Sequence, residues 1–534
     1  ASSRLSMSAT PPSTAAAAAL VSALASAASA KDEDALLLGA QVDQMLSGDA
    51  GLRLIRESEE VASAVNAAQV HELAQIRCTA LTQLARLATT ERDVALLAQR
   101  GWLARAATSV GDGDLRVSQC AASLFIACAR AGLVVLARAL DDAPTLAALC
   151  ALAGGGATAA DGVNNKEGEG AATTTVGFDG STVAMRVVSL FAEMAAQGAS
   201  QLSLLDARSL LSPLLLAWRS DDALIKLGAI EAAATIGRVQ GGLRWLDSHG
   251  VVDDMMRALE PTDETDAMRE LQMPALLHCF SELLDGADTE GAQNLLLERK
   301  LISMISPILT AHASPNLHSA LAVLRAAASH FIGYRIILFP NQDEPALLEA
   351  LKLRLRQNSD TRARAGVMHI IAQLCDTEHN AGGGGDGGGD GGGDDSKGNG
   401  SSTPRLQTLV ASLSTRSGVA AGDALAQMVT SPTGDLRTAA LQLMHALARL
   451  EWGALHLVTC EGVLELLLHS STVLSPDELR TKHALAVSLV SSSGVRLCLG
   501  DDSGSLRRLR AYVEAGPFAV QQRAEPRPAE PLTL

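Results

Sequence analysis

One phrase recurs along this chain and limits the kind of core the chain can build. A small or polar residue is followed, nine steps on, by a turn residue and then by paired apolar residues that open a new helix. The phrase reads GGLRWLDSHGVV from Gly241 to Val252 and GALHLVTCEGVL from Gly453 to Leu464. Looser copies run from Arg92 (RDVALLAQRGWL) and from Gly291 (GAQNLLLERKLI). In the two best copies Gly241 and Gly453 are followed at the same offset by Gly250 and Gly462. A short helix, a glycine break and a second helix, repeated at long intervals, describe a stack in which each repeat buries its apolar face on its neighbours. A stack lengthens its core without thickening it, so 534 residues need not divide into several separate cores.

A longer helix belongs to each repeat and has its own signature, an aspartate just before the periodic run. Asp114 precedes LRVSQCAASLFIACA, Asp222 precedes ALIKLGAIEAAATIG, Asp360 precedes TRARAGVMHIIAQL and Asp435 precedes LRTAALQLMHALARL. Aspartate caps a helix because its carboxylate accepts from the unpaired amides of the first turn and suits the positive helix end. Small residues follow within about the first two turns: Ala121 and Ala122, Gly228 and Ala229, Ala365 and Gly366, Ala439 and Ala440. They allow a neighbouring helix to approach closely. Earlier in the chain Leu73, Ile76, Leu81, Leu84 and Leu87 form the buried stripe of another such helix. The pattern predicts an all-α protein, an armadillo/HEAT-like α-solenoid.

Composition supports that reading. Apolar residues make up 47% of the chain but aromatics only 2%, so Ala and Leu, the strongest helix formers, carry most of the apolar mass. The formal net charge of −16 opposes nucleic-acid binding, which needs a basic footprint, and favours basic partner surfaces. No stretch of about 18 apolar residues is present to span a membrane. The eight cysteines include no C-x-x-C pair and sit mostly in apolar helical runs, which reads as reduced core residues in a reducing compartment. Cys375 lies between His369 and His379, but no closed set of four metal ligands accompanies it.

Two segments interrupt the repeats. Residues 154–182 are rich in Gly and Thr without apolar period, and residues 381–403 form a Gly/Asp linker carrying Asp386, Asp390, Asp394 and Asp395. The linker is no phosphate loop: no G-K-[S/T] follows it, and its aspartates would repel phosphate. The expected organisation is a disordered low-complexity lead over 1–30, repeats over 31–153, the loop 154–182, repeats over 183–380, the linker 381–403, repeats over 404–516 and a tail over 517–534. The Ser/Ala-rich lead carries one arginine, Arg4, where an organelle transit peptide carries several. Paired carboxylates such as Asp253/Asp254 and Asp501/Asp502 fall at helix starts or in loops, where capping explains them. No nucleophile elbow or metalloprotease helix is present, so the chain is expected to be non-enzymatic, without cofactor or metal.

The C-terminal stretch LRRLRAYVEAGPFAV, Leu506 to Val520, resembles the closing segment of the 26S proteasome non-ATPase regulatory subunit 5 family, which ends in a similar L-R-x-Y-x-x-x-G-P-[aromatic] phrase. It reads as a last capped helix with Leu509, Tyr512 and Val513 inward, Gly516 at the stop and Pro517 forbidding continuation. Asp435 to Leu468 is similar to that family's last full repeat, including Trp452. The segments AMRVVSLFAEMAAQGASQLSLLDARSLLSPLLL and GGLRWLDSHGVVDDMMRAL are similar to its central repeats. The resemblance covers most of 31–520, and the lead and the two insertions depart from it. It implies an assembly chaperone of the proteasome regulatory particle base. Such a chaperone holds the C-terminal domains of base ATPase subunits together with the large non-ATPase scaffold subunit, and leaves before or as the holoenzyme forms. It also implies a cytoplasmic protein, with the nucleus open as a second compartment.

In armadillo-type units the last helix is expected to line the binding groove. After Gly250 the buried positions should be Val252, Met255, Met256 and Leu259, leaving Asp253, Asp254 and Arg257 exposed. After Gly462 the same logic exposes Glu465 and His469. These five residues are the groove candidates for protein binding. The alternative is an armadillo adaptor for extended peptides, a class that presents a ladder of Trp and Asn on its groove helices. The helical stretches 251–259 and 463–469 contain neither residue.

Overall fold

The computed structural model describes residues 48–154, 182–260, 267–311, 314–339, 346–356, 360–382, 403–414, 419–468, 474–501 and 503–518, with 40, 41, 43, 44 and 46 ahead of them. The lead 1–30, most of the insertion 154–182, most of the linker 381–403 and nearly all of the tail lie outside the described residues, as does His469. Every described element is a helix. The chain divides into two compact units, one formed by Ala1–Met255 with Asp266–Asp288, the other by Met256–Thr265 with Thr289–Leu534.

Each unit is a stack of three-helix repeats, one long helix followed by two short ones. In the first unit the long helices Ala74–Leu87, Leu115–Ala131, Thr182–Ala195, Ala223–Gly237 and Ala267–Gly286 pack in succession. In the second they are Leu317–Ala328, Thr361–Gly382, Gly434–Ala448 and Pro476–Ser491, with Gly504–Ala515 closing the stack. Short helices pack on short helices of the same rank: Glu91–Gln99 on Leu133–Leu140, Trp102–Ser109 on Ala143–Leu152, Glu451–Val458 on Ser493–Leu499. The last helix is as the sequence describes it: Leu509 and Tyr512 are buried, Val513 is half-buried, Leu506 adds a third anchor, and Gly516 stops the helix at φ 87°.

The aspartate signature holds at three sites of four. Asp114 accepts from the Arg116 amide at 2.9 Å, Asp222 from the Leu224 and Ile225 amides at 2.8 and 3.1 Å, and Asp360 from the Ala363 amide at 2.8 Å. Asp435 does not cap. Thr433 stands at the cap position and the helix begins at Gly434, so Asp435 sits in the first turn, where its charge still suits the helix end. The small residues do admit neighbours. A Cβ on Gly228 would lie 2.5 Å from Met185 Cε, and one on Gly366 would lie 3.2 Å from Leu321 Cδ1, each on the preceding long helix.

The recurring glycines divide into two kinds. Gly101 (φ 68°) and Gly250 (φ 75°) stand in left-handed conformation just before the second short helix, and Lys300 (φ 54°) holds that position in the looser copy from Gly291. Gly462 does not, because its helix already begins at Glu461; its amide instead donates to Asp423 Oδ1 at 2.9 Å. The second kind lies at the corner after the long helix. A Cβ on Gly242, Gly333 or Gly453 would meet the carbonyl oxygen of Ile236, Ala327 or Leu447, six residues upstream in each case, at 2.0, 2.0 and 2.2 Å. The equivalent of Gly453 is therefore Gly242, one residue beyond the position that the matching phrases align.

Polar ties run from repeat to repeat, between residues 37 to 44 positions apart. Arg56 grips Asp93 with Nε at 2.6 Å and Nη2 at 3.0 Å, and Arg437 reaches Glu478 with Nε at 3.1 Å. Arg238 pairs with Glu282, and Arg244 with Asp288. Three tryptophans add indole ties between short helices of equal rank: Trp102 to Asn66 at 3.2 Å, Trp218 to Asp254 at 3.1 Å and Trp245 to Asp206 at 2.8 Å.

Candidate interaction surface

The helix Val251–Leu259 buries Val251, Val252, Met255, Met256 and Leu259. The expected face is thus the buried one, because i, i+3/i+4 and i+7 positions share a side of a helix. Asp253 and Arg257 are exposed. Asp254 is only half-buried rather than exposed, because its carboxylate accepts the Trp218 indole N–H and serves the stack. In the second unit Glu465 is exposed on the helix Glu461–Leu468, which buries Val463, Leu466 and Leu467. That helix packs between Ala421–Val429 and Gly504–Ala515.

A further polar row, which the sequence reading overlooked, runs across the long helices of the second unit. On Thr361–Gly382 it comprises His369, Gln373 and Asp376; on Gly434–Ala448 and its C-cap it comprises Gln442, His445 and Arg449. Both sets fall at i, i+3 or i+4, and i+7, one face of a helix. Arg449 Nη1 donates to Asp376 Oδ1 at 2.5 Å and joins the two helices. Burial lowers the His369 pKa, and Arg325 on the preceding long helix lowers it further, against the hydrogen bond that Gln442 accepts from it. Burial likewise lowers the His445 pKa, with Asp376 opposing and Arg449 reinforcing. The signal was available in the sequence as a polar stripe at helical spacing on otherwise apolar helices.

The thiols are core residues where they are buried. Burial pushes Cys128 up to about 12 and Cys375 well above the usual thiol range, which leaves both as neutral thiols. Cys498 is exposed. Among the described residues no group of three or more His, Cys, Asp or Glu is placed to hold a metal ion, and no single helix is long and apolar enough to cross a membrane.

Long helices stacked on long helices and short on short, with ties repeated from one repeat to the next, define a helical-repeat scaffold of the armadillo type. Residues 56–288 and 403–530 match the family model described as proteasome non-ATPase 26S subunit. The chain belongs to that family. A search of curated proteins finds no match. Among solved structures the chain is similar to an engineered protein at 14% identity, covering 89% of this chain and 100% of that one, with a TM-score of 0.39. A designed armadillo repeat protein aligns at 16% identity over 49% of this chain and 93% of its own, TM-score 0.33. A designed armadillo repeat protein in complex with the peptide (KR)4 aligns at 13% identity over 52% and 98%, TM-score 0.36.

Proposed function

We propose that this chain is a non-catalytic chaperone for assembly of the proteasome regulatory particle base, acting in the cytoplasm and nucleus. It holds the C-terminal domains of base ATPase subunits, together with the large non-ATPase scaffold subunit, against the outer faces of its helices. The reading is carried by the family match, whose two segments fall in both units and take in most of the chain. Stacked helices supply broad surface and no bond chemistry is needed, since holding and release are matters of shape and charge. Asp253 and Arg257 on one helix and Glu465 on another are the proposed contacts on these faces. Asp254 is set aside because Trp218 holds it.

The test is a pull-down of the full chain from cells. The expected partners are free base modules, with the chain depleted from intact 26S particles. Recovery only with basic extended peptides, or in stoichiometric amounts with the mature particle, would overturn the reading. Within the same assay Arg257→Glu is expected to weaken base binding about tenfold, which corresponds to roughly 1.4 kcal/mol, while the melting temperature stays unchanged. A large drop in melting temperature would assign Arg257 to the fold instead.

A further inference from the structure

Several same-rank short helices pack side by side, as Glu451–Val458 does on Ser493–Leu499. Between Thr403–Ala411 and Glu451–Val458 a groove of about 450 Å³ opens instead, lined by Val410, Ala411 and Leu455 with Gln407, Trp452 and His456. Three of the four tryptophans spend their indole N–H on an Asp or Asn of the neighbouring same-rank helix. Trp452 is the exception. Its Nε1 is buried without a hydrogen-bond partner among the described residues, and so is Nε2 of His456, one turn further along the same helix. Buried N–H groups are paired almost everywhere in folded proteins, so two unpaired ring nitrogens on neighbouring residues of one groove lining call for a partner from outside. The Thr459 hydroxyl, at the edge of the groove, is already committed to the His456 carbonyl at 2.8 Å.

The lining contains no Asp, Glu, Lys or Arg, so what fits it carries no charge at the contact. Its volume lies within the range of binding clefts, yet it is half-open to solvent, which suits a passing chain better than an enclosed small molecule. An extended main chain offers carbonyls and amides in alternation, the acceptor and donor that an indole N–H and an imidazole nitrogen require. We propose that this groove binds an uncharged, extended segment of a partner protein. One bulky apolar side chain seats on Val410, Ala411 and Leu455. A main-chain carbonyl accepts from Trp452 Nε1, and the adjoining peptide group meets His456 Nε2. The site shares no residue with the contacts proposed above and does not depend on the chaperone reading.

The experiment is selection of a random phage-displayed peptide library on the full chain, followed by affinity measurement with the enriched sequences as synthetic peptides. Enriched sequences are expected to share one bulky apolar anchor with no charge beside it. Ala411→Arg, which places a charge on the exposed rim, is expected to lower affinity at least tenfold, and Trp452→Phe, which keeps the ring and removes the N–H, about tenfold. Thr459→Arg is the second rim variant, used if Ala411→Arg melts early. The proposal is overturned if the enriched peptides bind the rim and Trp452 variants as well as the wild type, or carry charged anchors. It is equally overturned if nothing is enriched over a chain-free surface, or if free indole saturates the groove while no peptide competes with it.

Discussion

At the scale of single residues, two neighbouring glycines in one phrase answer to different physics. Gly241 has φ 91° and open space at its Cβ position, so Gly241→Ala costs only the strain of a left-handed alanine, about 1 kcal/mol. Gly242 has a carbonyl oxygen 2.0 Å from where a Cβ would stand, and Gly453 one at 2.2 Å. Alanine at either position must push the corner apart and is expected to cost about 3 kcal/mol, in the range of overpacked cores. Urea denaturation of the three variants separates the two costs. Lys300 is the converse case: it holds a left-handed conformation at φ 54°, and Lys300→Gly should gain about 0.5–1 kcal/mol in the same measurement. The recurrence itself was plain in the letters, but its register was not. Matching letters paired Gly241 with Gly453, whereas the chain pairs Gly242 with Gly453, because the requirement is distance to a carbonyl six residues back. Asp254 escaped for a related reason: nothing in its own helix announces the indole of Trp218 on the preceding repeat.

At the scale of elements, the pairing of Gly434–Ala448 with Pro476–Ser491 concentrates its polar chemistry on one carboxylate. Burial pushes the Glu478 pKa up, but the Ser475 amide and the Arg437 guanidinium more than offset this and hold it below the ordinary value. Glu478 thus closes a capping box with Ser475 and receives Arg437 from the adjacent long helix. Glu478→Ala breaks both and strands a partly buried guanidinium, for an expected loss of about 3 kcal/mol by chemical denaturation. One turn on, Lys482 is buried against the Tyr512 ring, and burial lowers its pKa from 10.5 to about 8. Below pH 8 the lysine is charged in both states, and the folded state bears the full cost of burying the charge. Between about 8 and 10.5 the folded lysine is neutral while the unfolded one still holds its proton, so stability rises with pH across that window. Lys482→Met is therefore expected to be more stable than wild type at pH 7 by about 2 kcal/mol. The gap should narrow above pH 8, as thermal melts at pH 7, 9 and 10 would read.

At the scale of the molecule, a stack whose repeats touch only their neighbours transmits damage over a short range. Hydrogen exchange on Glu478→Ala is expected to accelerate across 434–515 and to leave 74–140 at wild-type rates; uniform acceleration would show that unfolding is cooperative over the whole chain. The architecture was legible because helical periodicity, caps and small residues recur, and each copy reinforces the last. The surface was less legible, since partner contacts leave no period: Arg257 and Glu465 are named by exposure alone, while the row through His369, Gln442 and Arg449 shows in the letters as two separate polar stripes whose alignment needs the helices side by side. The ties between repeats have one more consequence, for inheritance. Trp218 reaches forward to Asp254 and Trp245 reaches back to Asp206, so the same two successive repeats are tied twice, once in each direction. The pair is therefore inherited as one unit: an in-frame insertion of a repeat between them, or the loss of either one, breaks both ties at once.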